Sequence, residues 1–252
     1  MMYRGQKCIG CALCAQVCPN DAHSFIDGLH EVVFSKCQAC GRCLTVCCYG
    51  ALEIVGEEIT IDEAMDSFEP DMPYYGENGG VTYSGGEPGM QPDFAIALAR
   101  TIKEQKIGLC IETSGFAEKA FFKGIAPHTD LFLYDWKTAD PDKHRMLTGK
   151  DNAVILDNLD YLNSIGSRVI LRCPILPGVN DSEQDFKAIA EVFHAHDSIE
   201  GIELLPYHSM GESKKAQIKK TSDFYPVTAP TDETKKHWVQ TISELGCPVK
   251  FV

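Results

Sequence analysis

Basic residues are in short supply: 23 Lys and Arg face 36 Asp and Glu, a formal charge of −13. Phosphate-backbone binding draws its affinity from counterion release by clustered Lys and Arg, so nucleic acid is excluded as the main partner. Long apolar runs are missing as well. Nothing approaches the ~18 apolar residues of a transmembrane helix, and Met1 to Cys8 has neither an h-region nor a cleavage-site pattern. A cytoplasmic protein without membrane contact is expected. The glycine fingerprints GxGxxG and GxxxxGK are absent, which argues against nicotinamide and nucleoside triphosphates. What remains is a globular composition, 44% hydrophobic over 252 residues, long enough for one large domain or a medium and a small one.

Cysteine is abundant and unevenly spread, nine of the twelve falling between Cys8 and Cys48. Cys8, Cys11, Cys14 and Cys18 form one CxxCxxCxxxC run, and Cys37, Cys40, Cys43 and Cys47 repeat it 29 residues later. Ala22 and Ala51 keep the same offset, so the segment is an internal duplication. A disulfide scaffold would need an oxidising compartment that nothing supports, and paired zinc sites seldom carry the additional CxxxC. In ferredoxin-type runs three closely spaced thiolates hold one [4Fe-4S] cluster and the fourth reaches the other. Cys8, Cys11, Cys14 and Cys47 are therefore assigned to one cluster, and Cys37, Cys40, Cys43 and Cys18 to the second. Cys48 stands where the first run has Pro19 and is read as a semi-buried thiol outside both clusters. Cys110, Cys173 and Cys247 sit in apolar stretches and are read as core packing.

Past Gly56 the composition changes, with seven acids between Glu57 and Asp71, which places a boundary between a cluster domain over 1–55 and a second domain over 56–252. Six short apolar runs follow: Val81 to Ser84, Ile107 to Glu112, Leu131 to Trp136, Arg168 to Cys173, Ile199 to Leu205 and Val249 to Val252. They read as strands mostly buried on both faces. Helical spacing links Phe94, Leu98 and Ile102, then Phe186, Ile189, Ala190 and Phe193, then Trp238, Ile242 and Leu245, with N-caps offered near Ser182 and Thr231. Alternating strand and helix mean a parallel α/β sheet or barrel, whose ligands lie beyond the C-terminal strand ends. Those ends carry Ser84-Gly85-Gly86-Glu87-Pro88, Glu112-Thr113-Ser114-Gly115, Asp135-Trp136-Lys137, Arg172 with Pro177-Gly178-Val179-Asn180-Asp181, and Leu205-Pro206-Tyr207-His208. Paired glycines admit a ligand close to the backbone, and Asp135 with Lys137 puts both charge signs on one strand face, suited to a zwitterion. Tyr74-Tyr75-Gly76 and Gly79-Gly80 read as a loop beside the site, and Lys214, Lys215, Lys219 and Lys220 form the one basic stretch.

Taken in that order, these motifs resemble the glycyl-radical-enzyme activating enzymes of the radical S-adenosylmethionine (SAM) superfamily, pyruvate formate-lyase activating enzyme-like, in the branch with a ferredoxin-like insert. The resemblance implies a partial (β/α) barrel of radical SAM type beside a small ferredoxin-like α+β domain with two iron-sulfur clusters. It implies that Gly85, Gly86 and Glu87 hold the methionyl ammonium of SAM, that Lys137 and Asp135 lie near its carboxylate, that Ser114 and His208 lie near ribose and adenine, and that Arg172 belongs to the same site. It further implies a protein partner, a glycyl radical enzyme, and a flavodoxin or ferredoxin-type reductant. In that family a third [4Fe-4S] cluster on CxxxCxxC leaves one iron open to SAM, whose reduction yields a deoxyadenosyl radical. No CxxxCxxC occurs here, since Cys14-xxx-Cys18 is followed by Asp21 and Cys43-xxx-Cys47 by Gly50. The barrel is therefore expected to lack its first strand, with a third cluster only if an upstream segment supplies it. A non-catalytic electron-transfer or SAM-binding scaffold is the alternative function.

Overall fold

The computed structural model describes residues 1–77, 79–208 and 227–251, and the lysine stretch from Lys214 to Lys220 lies outside them. Two compact units are present, Met1–Glu58 together with His208, and a larger one from Ile59 to Tyr207 that takes in 227–251. No helix among the described residues is long and apolar enough to cross a membrane.

The first unit is built on its sequence repeat. Its elements are β1 (Met2–Tyr3), α1 (Leu13–Val17), β2 (His23–Ile26), β3 (Leu29–Val32) and β4 (Leu52–Glu53). β2 and β3 form an antiparallel hairpin in which His23 faces Val32 and Ser24 faces Glu31. β1 pairs β4 with Tyr3 facing Leu52 and Met2 facing Glu53, the same partners displaced by 29 residues. The left-handed positions repeat too: Gly10, Ala12 and Asp21 in one half answer Ala39, Gly41 and Gly50 in the other. Two halves with one backbone path therefore wrap the two cysteine runs.

The second unit holds one six-stranded parallel sheet in the order β10-β9-β8-β7-β6-β5. In chain order come α2 (Ile61–Phe68), β5 (Gly80–Tyr83), α3 (Pro92–Glu104), β6 (Gly108–Thr113), α4 (Lys119–Ile125), β7 (Leu131–Asp135), α5 (Pro141–Thr148) and α6 (Ala153–Ser164). Then follow β8 (Val169–Ile175), α7 (Glu183–Ala195), β9 (Ile199–Pro206), α8 (Asp232–Glu244) and β10 (Val249–Phe251). The six expected strands are all present. Ser182 caps α7 with a reciprocal box to Asp185, and Thr231 caps α8 by accepting from Thr234 N–H. Thr60 and Glu63 cap α2 the same way, a signal the sequence reading passed over.

Burial corrects one expectation. Along β6, β7 and β8 buried and partly buried residues alternate, so one face of these strands is fully buried and the other only partly. Leu109, Ile111, Phe132, Tyr134, Leu171 and Cys173 enter a single core with Phe122, Leu159, Phe186 and Trp238 from the helices. The other face presents Cys110, Glu112, Asp135 and Arg172, and a sheet clad by helices on one side leaves the opposite side for polar groups. Cys110 is accordingly half-buried rather than core, whereas Cys173 and Cys247 are buried. Gly79-Gly80 also differs from a loose loop, because a side chain on Gly80 would strike the Gly108 carbonyl where β5 and β6 lie side by side. These glycines let two strands approach.

Gly115, in the turn after β6, has φ +73, and a Cβ there would overlap the hydroxyl of buried Tyr134, which donates to the Ile155 carbonyl at 2.6 Å. Asn158 donates to the carbonyls of Gly115 and Ala117 at 2.9 and 2.8 Å, locking the same turn to α6. Gly115→Ala is expected to lower stability by about 2–4 kcal/mol from the left-handed backbone and the displaced tyrosine together, read by urea unfolding. A variant that unfolds at the wild-type midpoint would refute this.

Candidate functional site

All twelve cysteines are free thiols, and the eight of the repeat gather in two places. One small cavity is lined by Cys8, Cys11, Cys14 and Cys47 with Ile9, Phe25, His30 and Leu52. A second is lined by Cys18, Cys37, Cys40 and Cys43 with Met1, Pro19, His23 and Arg42. Each cavity thus takes three thiols from one half and one from the other, because the turn before α1 and its repeat hold the closely spaced sulfurs together while Cys18 and Cys47 lead away. Cys14 and Cys43 are buried and Cys11 and Cys40 exposed, again in register with the repeat. Burial pushes the Cys14 thiol up to about 11, with neighbouring Cys8 and Cys11 adding to it, so the free thiol keeps its proton until a metal displaces it. Cys48 lines neither cavity and is exposed rather than semi-buried, its place in the second run being a turn.

Histidines stand beside the sulfurs. His30 Nδ1 lies 3.5 Å from Cys8 Sγ and its Nε2 3.7 Å from Cys14 Sγ and 3.0 Å from His23 Nδ1. Burial lowers the pKa of His23 and favours its neutral ring. Tyr3 is shifted upward by burial first and by its bond to Cys8 second. Sequence reasoning missed all three, since their relation to the clusters becomes visible only through the hairpin register.

At the C-terminal edge of the sheet, Gly85 and Gly86 are exposed, and open space lies where their side chains would be. The carboxylate of Glu87 is turned onto the next loop: it accepts from Thr113 Oγ1 at 2.7 Å, Ser114 N–H at 2.8 Å and Ser114 Oγ at 2.6 Å. Gly89 N–H adds a longer fourth bond at 3.3 Å. Glu87 therefore fastens the β5 and β6 loops together and leaves the Gly85-Gly86 backbone facing outward. Lys137 and Asp135 pair at 3.5 Å. Arg172 is clamped between Glu112 at 2.5 Å and Glu203 at 3.8 Å, with Ser84 donating to Glu112 and Lys250 pairing Glu203 at 3.0 Å. This charged row crosses the less buried sheet face, and Cys110 beside it is pushed up to about 11 by burial and by Glu112. Glu112 and Thr113 stood in a strand-end motif of the sequence without a role of their own and Glu203 was not singled out, although alternation along β6 and β9 carries their signal. Asn180 is buried and ties three backbones, bonding Leu176 N–H and the carbonyls of Lys137 and Pro174. His208 is exposed and falls in the first unit, so its assignment rests on the resemblance alone.

The Radical SAM superfamily model matches residues 45–191, more than half of the chain, and a 4Fe-4S dicluster domain matches residues 1–48. The chain belongs to the radical SAM superfamily. Among relatives, the indoleacetate decarboxylase activating enzyme of Tractidigestivibacter scatoligenes is 34% identical over 98% of this chain and 81% of its own. The choline trimethylamine-lyase activating enzyme of Oleidesulfovibrio alaskensis is 39% identical over 86% of this chain and 73% of its own. A crystallised domain of pyruvate-formate lyase-activating enzyme from Bacteroides vulgatus superposes with a TM-score of 0.58 at 26% identity, covering 69% of this chain and 99% of that domain. Iron-sulfur clusters and SAM are the cofactors of this radical SAM family, and the relatives favour the activating-enzyme reading over the scaffold alternative. The residues fit these groups. Two all-thiol quartets suit iron-sulfur clusters, and an exposed glycine backbone beside a paired cation and anion suits an amino-acid zwitterion.

Asn180→Ala removes the side-chain partner of two partly buried carbonyls and one N–H, at about 2–4 kcal/mol, and releases the Lys137 backbone. The expected outcome is a lower urea midpoint together with weaker SAM binding by calorimetry. Unchanged SAM affinity in the folded variant would show that Asn180 only stabilises.

Proposed function

We propose that this radical SAM protein activates a glycyl radical enzyme, with Cys8, Cys11, Cys14 and Cys47 holding one [4Fe-4S] cluster and Cys18, Cys37, Cys40 and Cys43 the other. The observation that carries the proposal is the convergence of two crossed cysteine quartets in a chain whose strand ends offer an open glycine backbone. When bound, SAM and the cluster that reduces it supply a deoxyadenosyl radical able to take hydrogen from a glycine of the partner polypeptide. The carbonyls of Gly85 and Gly86 accept the methionyl ammonium, and Glu87 fixes their distance from Ser114, whose hydroxyl faces the ribose. Lys137 turns from Asp135 to the methionyl carboxylate, and Arg172 keeps its charge at the site because Glu112 and Glu203 hold it in place. Electrons from a flavodoxin or ferredoxin-type donor enter at the exposed Cys11 and Cys40. No CxxxCxxC occurs among the 252 residues, so all eight cysteines of the repeat are assigned to the two relay clusters, and the third cluster that would reduce SAM needs cysteines from outside these residues.

Two experiments test the two halves. After anaerobic reconstitution, Cys8→Ser with Cys47→Ser should keep about four irons per chain, whereas Cys8→Ser with Cys18→Ser should lose both clusters. The reverse ranking would mean that each run holds its own cluster. Lys137→Ala should weaken SAM binding about tenfold in equilibrium dialysis, a loss of about 1.4 kcal/mol. If the wild-type chain binds no SAM at about 1 mM, the SAM half of the proposal fails.

A further inference from the structure

The repeat makes the two cluster cavities comparable residue by residue, and they differ in one respect. Displacement by 29 residues carries His30 onto Met1, Tyr3 onto Val32, Phe25 onto Ile54 and His23 onto Leu52. His30 and Phe25 line the first cavity, while Met1 stands in the second where His30 stands in the first. The first cavity thus has the His30 imidazole and the Phe25 ring where the second has Met1, while the exchange runs the other way at the fourth pair, His23 lining the second cavity and Leu52 the first.

The imidazole of His30 is held on several sides. Phe25 stacks on it with ring centres 4.5 Å apart and planes 6° from parallel, and Tyr3 meets it edge-on at 4.6 Å. Its Nδ1 faces Cys8 Sγ at 3.5 Å and its Nε2 faces His23 Nδ1 at 3.0 Å. A thiolate bound to iron has no proton to give, and of the two ring nitrogens that face thiolates of this set Nδ1 is the nearer, 3.5 Å from Cys8 Sγ against 3.7 Å from Nε2 to Cys14 Sγ, so Nδ1 is the donor. A neutral ring has one N–H, which leaves Nε2 to accept from His23 Nδ1–H. At the second cavity the donors are peptide groups, Ala22 N–H to Cys18 Sγ at 3.3 Å and Ala39 N–H to Cys37 Sγ at 3.4 Å. Hydrogen bonds to cluster sulfurs stabilise the added negative charge of the reduced state and raise the potential.

We propose that His30 sets the potential of the cluster held by Cys8, Cys11, Cys14 and Cys47, donating its Nδ1–H to Cys8 Sγ, and does not act on the other cluster. His30 is a positioning and tuning residue; it ligates nothing and touches no substrate. His23 orients the imidazole from behind, and Phe25 and Tyr3 keep it from turning away. The two clusters become inequivalent by a side chain rather than by the backbone they share. This inference rests on the two-cluster ligand set of the preceding subsection.

The test is an EPR-monitored redox titration of the full chain, reconstituted anaerobically, as wild type, His30→Met and His30→Gln. Methionine is the residue that the repeat itself carries at the equivalent position, and glutamine keeps an N–H donor. With about eight irons retained, His30→Met should shift one of the two potentials negative and leave the other in place, and His30→Gln should recover part of the shift. Both potentials unmoved, or both moved alike, would overturn the proposal. Should His30→Met fail to hold iron, chain labelled with 15N-histidine decides instead. The reduced protein should show an imidazole 15N coupling that persists in His23→Leu, and its absence there would overturn the proposal. A wild-type chain that binds no iron at all would defeat the ligand set instead, so the two failures are distinguishable.

Discussion

The apolar cluster of the first unit contains four buried residues, Cys14, Val32, Cys43 and Leu52, and two of these are themselves thiols. A segment of 58 residues with so little hydrocarbon to remove from water cannot offset its chain entropy by burial alone. Metal-sulfur bonds have to supply the difference, as in other small metal-dependent domains. In the proposed ligand set each cluster draws one cysteine from the opposite half, so neither half can close its site alone. Crossed ligation then explains why the two halves keep one register to the residue: the β1–β4 and β2–β3 pairings must deliver Cys47 and Cys18 to equivalent places.

The second unit obeys a different constraint. Its parallel sheet is clad by helices on one face, and the large buried side chains Phe122, Phe132, Tyr134, Trp136 and Trp238 all belong to that single core. The opposite face holds Arg172 between two carboxylates, and because Arg172 and Glu203 are largely buried there, the pairing has to offset their desolvation. The strand-end loops are not independent of that row. Glu87 joins the first two loops, Asn180 joins the third and fourth, and Ser84 connects the first loop to Glu112 and so to Arg172. A ligand placed on any one loop meets a surface already braced by the others.

Much of this was legible in the residues. The cysteine spacing with its offset led to the two quartets, and apolar runs marked all six strands of the sheet. What escaped has physical reasons. One-sided burial leaves the inner positions of β6, β8 and β9 partly apolar, so Ile170 and Leu205 masked the alternation that Glu112, Arg172 and Glu203 reveal. The orientation of Glu87 depends on a loop 26 residues away, through Thr113, and no local pattern reports it. His30 is one of eight histidines and becomes informative only once the hairpin register sets it over Cys8 and Cys14. Helices α4, α5 and α6 are short or weakly amphipathic and lie among charged residues that hide their apolar positions.

The central claim is a division of labour in which two fully cysteine-ligated clusters carry electrons while SAM is held elsewhere, on the strand ends. Mössbauer spectroscopy of the 57Fe-reconstituted chain, with and without SAM, tests this most directly. The account predicts about eight irons, all in [4Fe-4S] clusters, with a spectrum that SAM leaves unchanged although SAM binds the chain. An iron site whose isomer shift moves on addition of SAM would contradict it, because one of the two quartets would then leave an iron open to SAM.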